Sequence, residues 1–321
     1  MKKSLLLSVC LAFASLSSFG ASLASIMLQH NGSVTMFDPD KMTAAITAAA
    51  KGDTIYLNEG AFVGDFTINK EITIIGAGQD SKINGNITIS IDNTPTLTAH
   101  MLDAVNISGY SVTVSKALNN LKIRKCYIST IKAAAALTDL NVDRSYINRV
   151  ELSTNYKSGN FINCYIYEVY SSISSLQNTI NYINCNIFRL YQYNSNCMRG
   201  TFINSIINGY ADTNNMQGCL FINTLYKDFS ISSNSTIQNC YTSAFSFTEY
   251  TEEKTNIKYY TVAADYLKDN NYVGTDGTIV GMFGGATPYN LVPNVPTVTE
   301  SKVTVDTATK KLNVSLKVSA N

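Results

Sequence analysis

The chain has 321 residues, with 24 Lys and Arg against 23 Asp and Glu, and 45% of it is hydrophobic. That apolar share excludes global disorder, and balanced charge with no basic block leaves a nucleic-acid partner without support. Trp is absent while Tyr reaches 20, a skew that any functional reading must place.

Residues 1–24 have the form of an export signal. Lys2 and Lys3 give the charged start, and Leu5 to Phe13 form an apolar run too short to span a bilayer. Small residues follow, placing cleavage after Ala24 or Gly20. Cys10 is preceded by Val9, where a lipidation signal needs a small residue. No later segment has the length and apolarity of a membrane span, so the mature chain is expected to be secreted or at the cell surface.

Residues 25–53 are a lead-in followed by a helix. Asp38 suits the N-cap, Pro39 the first helical position and Gly52 the left-handed end. Met42, Ile46 and Ala49 share one face at helical spacing. Such a helix fits the cap that the first rung of a solenoid needs.

From residue 54, short β-rich runs are punctuated by Gly, Asn and Asp. Over 121–242 a phrase returns about every twenty residues, as in Ile162-Asn-Cys164-Tyr-Ile166 and Ile183-Asn-Cys185-Asn-Ile187. One position runs Cys126, Ser145, Cys164, Cys185, Ser205, Thr224, Cys240, at steps of 19, 19, 21, 20, 19 and 16. A fixed short period means a solenoid. Asn84-Gly-Asn-Ile87 and Ala104-Val-Asn-Ile107 extend it backwards, with Gly85 and Val105 in the same slot. The expected fold is all-β, a parallel β-helix over 54–290 with nine or ten rungs, on the order of 45 Å long.

Alternation puts Ile162, Cys164 and Ile166 inward. Asn163, Asn184, Asn204, Asn223 and Asn239 mark a corner, since Asn tolerates the left-handed conformation. Their amides are expected to bond along the stack. Cysteine interchanging with Ser and Thr reads as a small buried slot of free thiols. A Cys164–Cys185 bridge between neighbouring rungs is the alternative. Beyond Pro288 the chain turns to Thr, Val and Lys. Lys302–Asp306 and Lys311–Val318 alternate as a hairpin around Thr307–Lys310. This 291–321 tail has to dock on the rod or on a partner, because two strands alone are marginal.

Regular rungs with an Asn corner, the opening Ala48–Gly60 with Ile72–Gly78, and Asp276–Pro288 near the end resemble the right-handed parallel β-helix of the pectin-lyase-like superfamily. The opening stretch resembles that of secreted bacterial members. The resemblance implies the fold; the same rod carries enzymes and non-enzymes alike. Enzymes of this kind use clustered Asp with calcium and a basic residue, or paired Asp with a His. Here His30 and His100 lie outside the repeat. Asp139, Asp143, Glu151, Glu168, Asp212 and Asp228 are scattered and form no evident acid–base pair. Asp143 and Arg144 with Arg124 and Arg149 form one mixed-charge cluster, read as surface ion pairs. Asp269–Asp276 departs from a calcium loop at Val273. No metal or cofactor is expected.

The tyrosines carry the functional expectation. Tyr127, Tyr146 and Tyr165 hold one position on successive rungs, Phe161, Tyr182, Phe202 and Phe221 another, and Tyr170 and Tyr191 a third. Both longer rows are expected to face outward, the second because Lys122 and Asn141 are taken as its earlier members. Such rows either stack for stability or offer a ligand stripe for glycans or a surface partner. The leading reading is a non-catalytic binding module. The alternatives are a polysaccharide lyase or hydrolase, and a rigid spacer.

Overall fold

The computed structural model describes residues 24–93, 95–171, 179–192, 200–209, 218–227, 231, 234–242, 245–252, 257–293, 297–306 and 311–319. Apart from Ala24, the expected export signal lies outside them. The fold is all-β, with 7% helix and 49% strand, and forms a parallel β-solenoid of about eight turns.

Two long sheets make the rod. On the first face, ten parallel strands stack from Thr54–Leu57 to Thr236–Gln238. The second face runs in step, from Gly60–Val63 to Tyr241–Thr242. The short strands Leu118–Asn119 and Leu137–Thr138 pair on a third side. Inward columns form a continuous core. Ile123, Val142, Phe161, Tyr182, Phe202 and Phe221 align on the first face, and Ile128, Ile147, Ile166, Ile187 and Ile207 on the second.

The corner between faces is a single left-handed residue on every repeat rung. Lys125, Arg144, Asn163, Asn184, Asn204, Asn223 and Asn239 all have φ between 44° and 51°. This reset shifts the alternation. Phe161, not Ile162, points inward, and Ile162 is half-exposed. One residue of phase moves a side chain to the opposite face of a sheet.

Next to the corner lies the interchangeable slot. Ser145, Cys164, Cys185, Ser205 and Thr224 are buried. Each reaches the carbonyl two residues back, as Ser145 Oγ to Asp143 O at 2.9 Å and Cys185 Sγ to Ile183 O at 3.3 Å. Several also reach a carbonyl one rung below: Cys185 to Phe161 at 3.2 Å, Ser205 to Tyr182 at 3.1 Å and Thr224 to Phe202 at 3.0 Å. The slot therefore selects a small donor, which explains why Cys, Ser and Thr alternate. Among the described residues the cysteines, Cys164 and Cys185 included, are free thiols. Further back the register differs from the sequence reading. Asn106 pairs with Lys82, so Ser81 rather than Gly85 underlies Val105. Gly85 instead permits a close crossing, since a Cβ there would lie 2.1 Å from Gly64 O.

The lead-in is an antiparallel hairpin, Ile26–His30 with Ser33–Phe37. Asn31 and Gly32, at φ 47° and 80°, form its two-residue turn, the Asn-Gly hairpin signal. The helix is shorter than expected, Met42–Ala48, with Met42, Ala45 and Ile46 buried. Asp38 opens a preceding turn through Lys41 N–H to Asp38 O at 3.0 Å and gives the helix no side-chain cap. Gly52, at φ 89°, turns the chain after the helix has ended in extended backbone at Ala49.

After residue 245 the chain leaves the stack and returns along the corner. Strands Thr248–Thr251 and Lys258–Thr261 pair as a hairpin, and the helix Ala264–Asp269 follows. Residues 274–293 then run back down the rod. Asn204 exchanges bonds with Thr275, Asn163 Nδ2 donates to Met282 O and Gly284 O, and Lys125 Nζ donates to Val292 O at 2.6 Å. The amides of Asn163 and Asn204 thus bind this return arm instead of forming the expected ladder. A ladder does exist three positions before the corner: Asn181 donates to Asn160 and Asn160 to Asn141, each at 2.9 Å, and Asn141 extends it to Asn120 at 3.2 Å. In the tail, Thr297–Asp306 pairs antiparallel with Lys311–Ser319. The expected Thr307–Lys310 turn lies outside the described residues.

Candidate functional site

The two longer aromatic rows are not open stripes. Tyr127, Tyr146 and Tyr165 leave the rod's interior as expected and stack, with centroids 4.4 and 4.9 Å apart. The return arm then covers them. Tyr146 and Tyr165 are buried with Ile257, Tyr259, Met282, Tyr289 and Leu291, and Tyr127 is half-buried. Burial pushes the hydroxyl pKa of all three upward.

Phe161, Tyr182, Phe202 and Phe221 are fully buried in the rod's core, stacked at 5.4, 4.9 and 5.0 Å. Their expected outward direction is corrected by the register. Phe161 aligns with Val142 and Ile123, whereas Asn141 and Lys122 align with Asn160. The polar equivalents belonged to the neighbouring column.

Tyr170 and Tyr191 remain half-exposed on the second face, 5.5 Å apart and 12° from parallel. The register builds their surroundings. One outward column reads Lys132, Glu151, Tyr170, Tyr191, and another Thr130, Arg149, Glu168, Arg189. The Arg149 guanidinium lies 4.1 Å from the Tyr170 ring centre, a contact stabilising by about 0.5–1 kcal/mol at an exposed site. Glu168, buried, accepts from Arg189 at 2.8 Å and faces Arg149 at 3.5 Å, while Glu151 meets Arg149 and Lys132 at 3.5 Å. Tyr167 and Phe188 stack beside this patch at 4.9 Å, and Tyr260 closes over Phe188.

The geometry limits what the patch does. Rings stacked rung upon rung cover one another's faces and show solvent their edges. Arg149 takes the other face of Tyr170, so among the described residues Tyr191 is the last member of the Arg149–Tyr170–Tyr191 stack. The repeating edge of hydroxyls and guanidinium groups offers donors at about one per rung, roughly 4.8 Å apart. The carboxylates are committed to arginines and lysine, which suits orientation of those cations more than proton transfer.

The mixed-charge cluster divides between the faces. Arg124 pairs with buried Asp103 at 2.5 Å and Arg144 with Asp143 at 2.6 Å on the first face, while Arg149 belongs to the second. Burial first, and then Arg144, lowers the Lys125 pKa. Burial likewise lowers that of His100. His30 pairs with Asp53 at 2.9 Å, and Asp53 also accepts from Ala50 N–H beyond the helix. Asp276 Oδ1 accepts from Thr278 N–H and Oγ1, inside the stretch compared with a calcium loop. Asp212 and Asp228 lie outside the described residues. Among the described residues no cluster of His, Cys, Asp and Glu is set to hold a metal, and no helix is long and apolar enough to cross a membrane.

This chain matches no family model, no curated protein and no solved structure. The sequence placed Arg149 in a cluster with Asp143 and counted Glu168 among scattered acids, and the column that joins both to Arg189 emerges only from the register. Their signal was a charge alternation at the same steps of 19 and 21 as the slot.

Proposed function

We propose that this is an exported, non-catalytic binding protein of the pectin-lyase-like kind, and that it holds a glycan on the second face. The observation that carries the reading is the half-exposed Arg149–Tyr170–Tyr191 stack beside Arg189. A row of hydroxyl and guanidinium donors beside two half-exposed rings suits a polymer of hydroxyl-rich units. Lys132 and the arginines favour one that also carries acid groups. The Tyr127 and Phe161 rows stabilise the rod and take no part.

The test is binding of the full chain to a panel of neutral and acidic polysaccharides. Tyr191→Ala is expected to weaken binding about tenfold, near 1.4 kcal/mol, with folding unchanged. Equal binding by wild type and variant would refute the site. A second reading is a polysaccharide lyase or hydrolase. It predicts release of unsaturated or reducing ends from the same panel. A rigid spacer predicts neither binding nor turnover.

A further inference from the structure

The two ends of the rod are unlike, and among the described residues each ends in a strand paired on one side. Ser33–Phe37 and Thr236–Gln238 are the outermost strands of one twelve-stranded sheet. Neither carries the Lys, Pro or bulge by which natural sheets blunt an edge. Of the seven large hydrophobic side chains exposed among the described residues, three sit on these two strands: Val34 at 46%, Met36 at 44% and Ile237 at 48%. Ile237 occupies the inward column whose preceding members, Phe202 and Phe221, are fully buried. The last rung therefore presents core to its end.

Strand direction makes the ends compatible. Ser33–Phe37 is antiparallel to Ile26–His30, which is antiparallel to Thr54–Leu57, and all later strands of this face are parallel. Two reversals leave Ser33–Phe37 running the same way as Thr236–Gln238. A second copy translated along the rod axis would bring these edges together as one more parallel pair. The outer face of the capping helix agrees. Thr43, Ala44, Thr47 and Ala48 are exposed there, an uncharged and half-apolar face, whereas a helix that ends a solenoid in water carries a polar one.

We propose that copies of this chain stack head to tail, the hairpin and helix of one seated on the open last rung of the next. The contact uses two different surfaces, so it does not close on itself and extends as a linear rod. It stands independently of the glycan reading, although stacking would set binding patches in series.

The test uses the full chain with two exposed-site variants, Met36→Lys at the head and Ile237→Lys at the tail, each checked for folding by circular dichroism. Light scattering over a wide concentration range should show wild-type mass climbing past two chains. Each variant alone should stay at the mass of one chain. Mixed, they should form a two-chain species and stop, since one good head meets one good tail. A wild type that remains a single chain, assembly that survives in either variant, or a mixture that stays monomeric would each overturn the proposal. So would slow exchange of the Ile237 amide in the monomer, the one that alternation aims away from the preceding strand, which would show that the chain's own tail covers that edge.

Discussion

The slot beside the corner carries a hydrogen-bonding requirement that small size alone does not meet. Ser205 Oγ accepts from Cys185 N–H at 3.1 Å and reaches two carbonyls. Ser205→Ala leaves that buried N–H unpaired and is expected to cost about 1–3 kcal/mol in urea unfolding. Ser205→Cys keeps a donor and should cost about 1 kcal/mol or less. Burial also pushes the Cys126 thiol from its ordinary 9.0 up to about 12. A raised folded pKa means its contribution to stability is fully present below pH 9.0 and is lost as pH rises through about 12. Cys126→Ser should flatten the fall in stability across that window relative to wild type, by thermal unfolding at each pH. At the corner itself, Lys125 and Arg144 hold the same left-handed geometry that Asn holds higher in the stack. The Asn signal therefore understated how regular the corner is.

Among elements, the return arm decides which surfaces exist. It lies against the corner at glycines where no side chain fits. A Cβ on Gly281 would meet Asn186 Oδ1 at 2.4 Å and Ile206 Cδ1 at 2.6 Å, and its φ is 93°. Gly281→Ala is expected to loosen the arm by about 1–3 kcal/mol and to uncover Tyr146 and Tyr165. With no Trp in the chain, tyrosine emission reports this directly, as stronger acrylamide quenching. Unchanged quenching would mean that the arm does not depend on this approach.

For the whole molecule, a rod built of near-equal rungs tolerates loss of a complete one, because each contacts only its neighbours. Deleting 164–184 joins Asn163 to Cys185 and preserves every column. The shortened rod should keep its strand signal in circular dichroism. The arm, a single segment reaching from Asn204 to Lys125, would then be one step too long, roughly 4.8 Å. Tyrosine quenching should rise with the rod still folded. Loss of the strand signal would argue against independent rungs.

The sequence alone determined the solenoid, its period, its corner and its slot. These are set by short-range contacts that repeat at fixed spacing, so Cys164 and Cys185 lie in register because twenty-one residues complete a rung. Which aromatics meet solvent was decided elsewhere. The phase shift at a left-handed residue turned Phe161 inward, and an arm about ninety or more residues further along the chain covered Tyr146 and Tyr165. No local pattern encodes contacts between such distant segments. Only the folded chain shows that, of the three aromatic rows, the short Tyr170–Tyr191 pair is the one left open on the rod's second face.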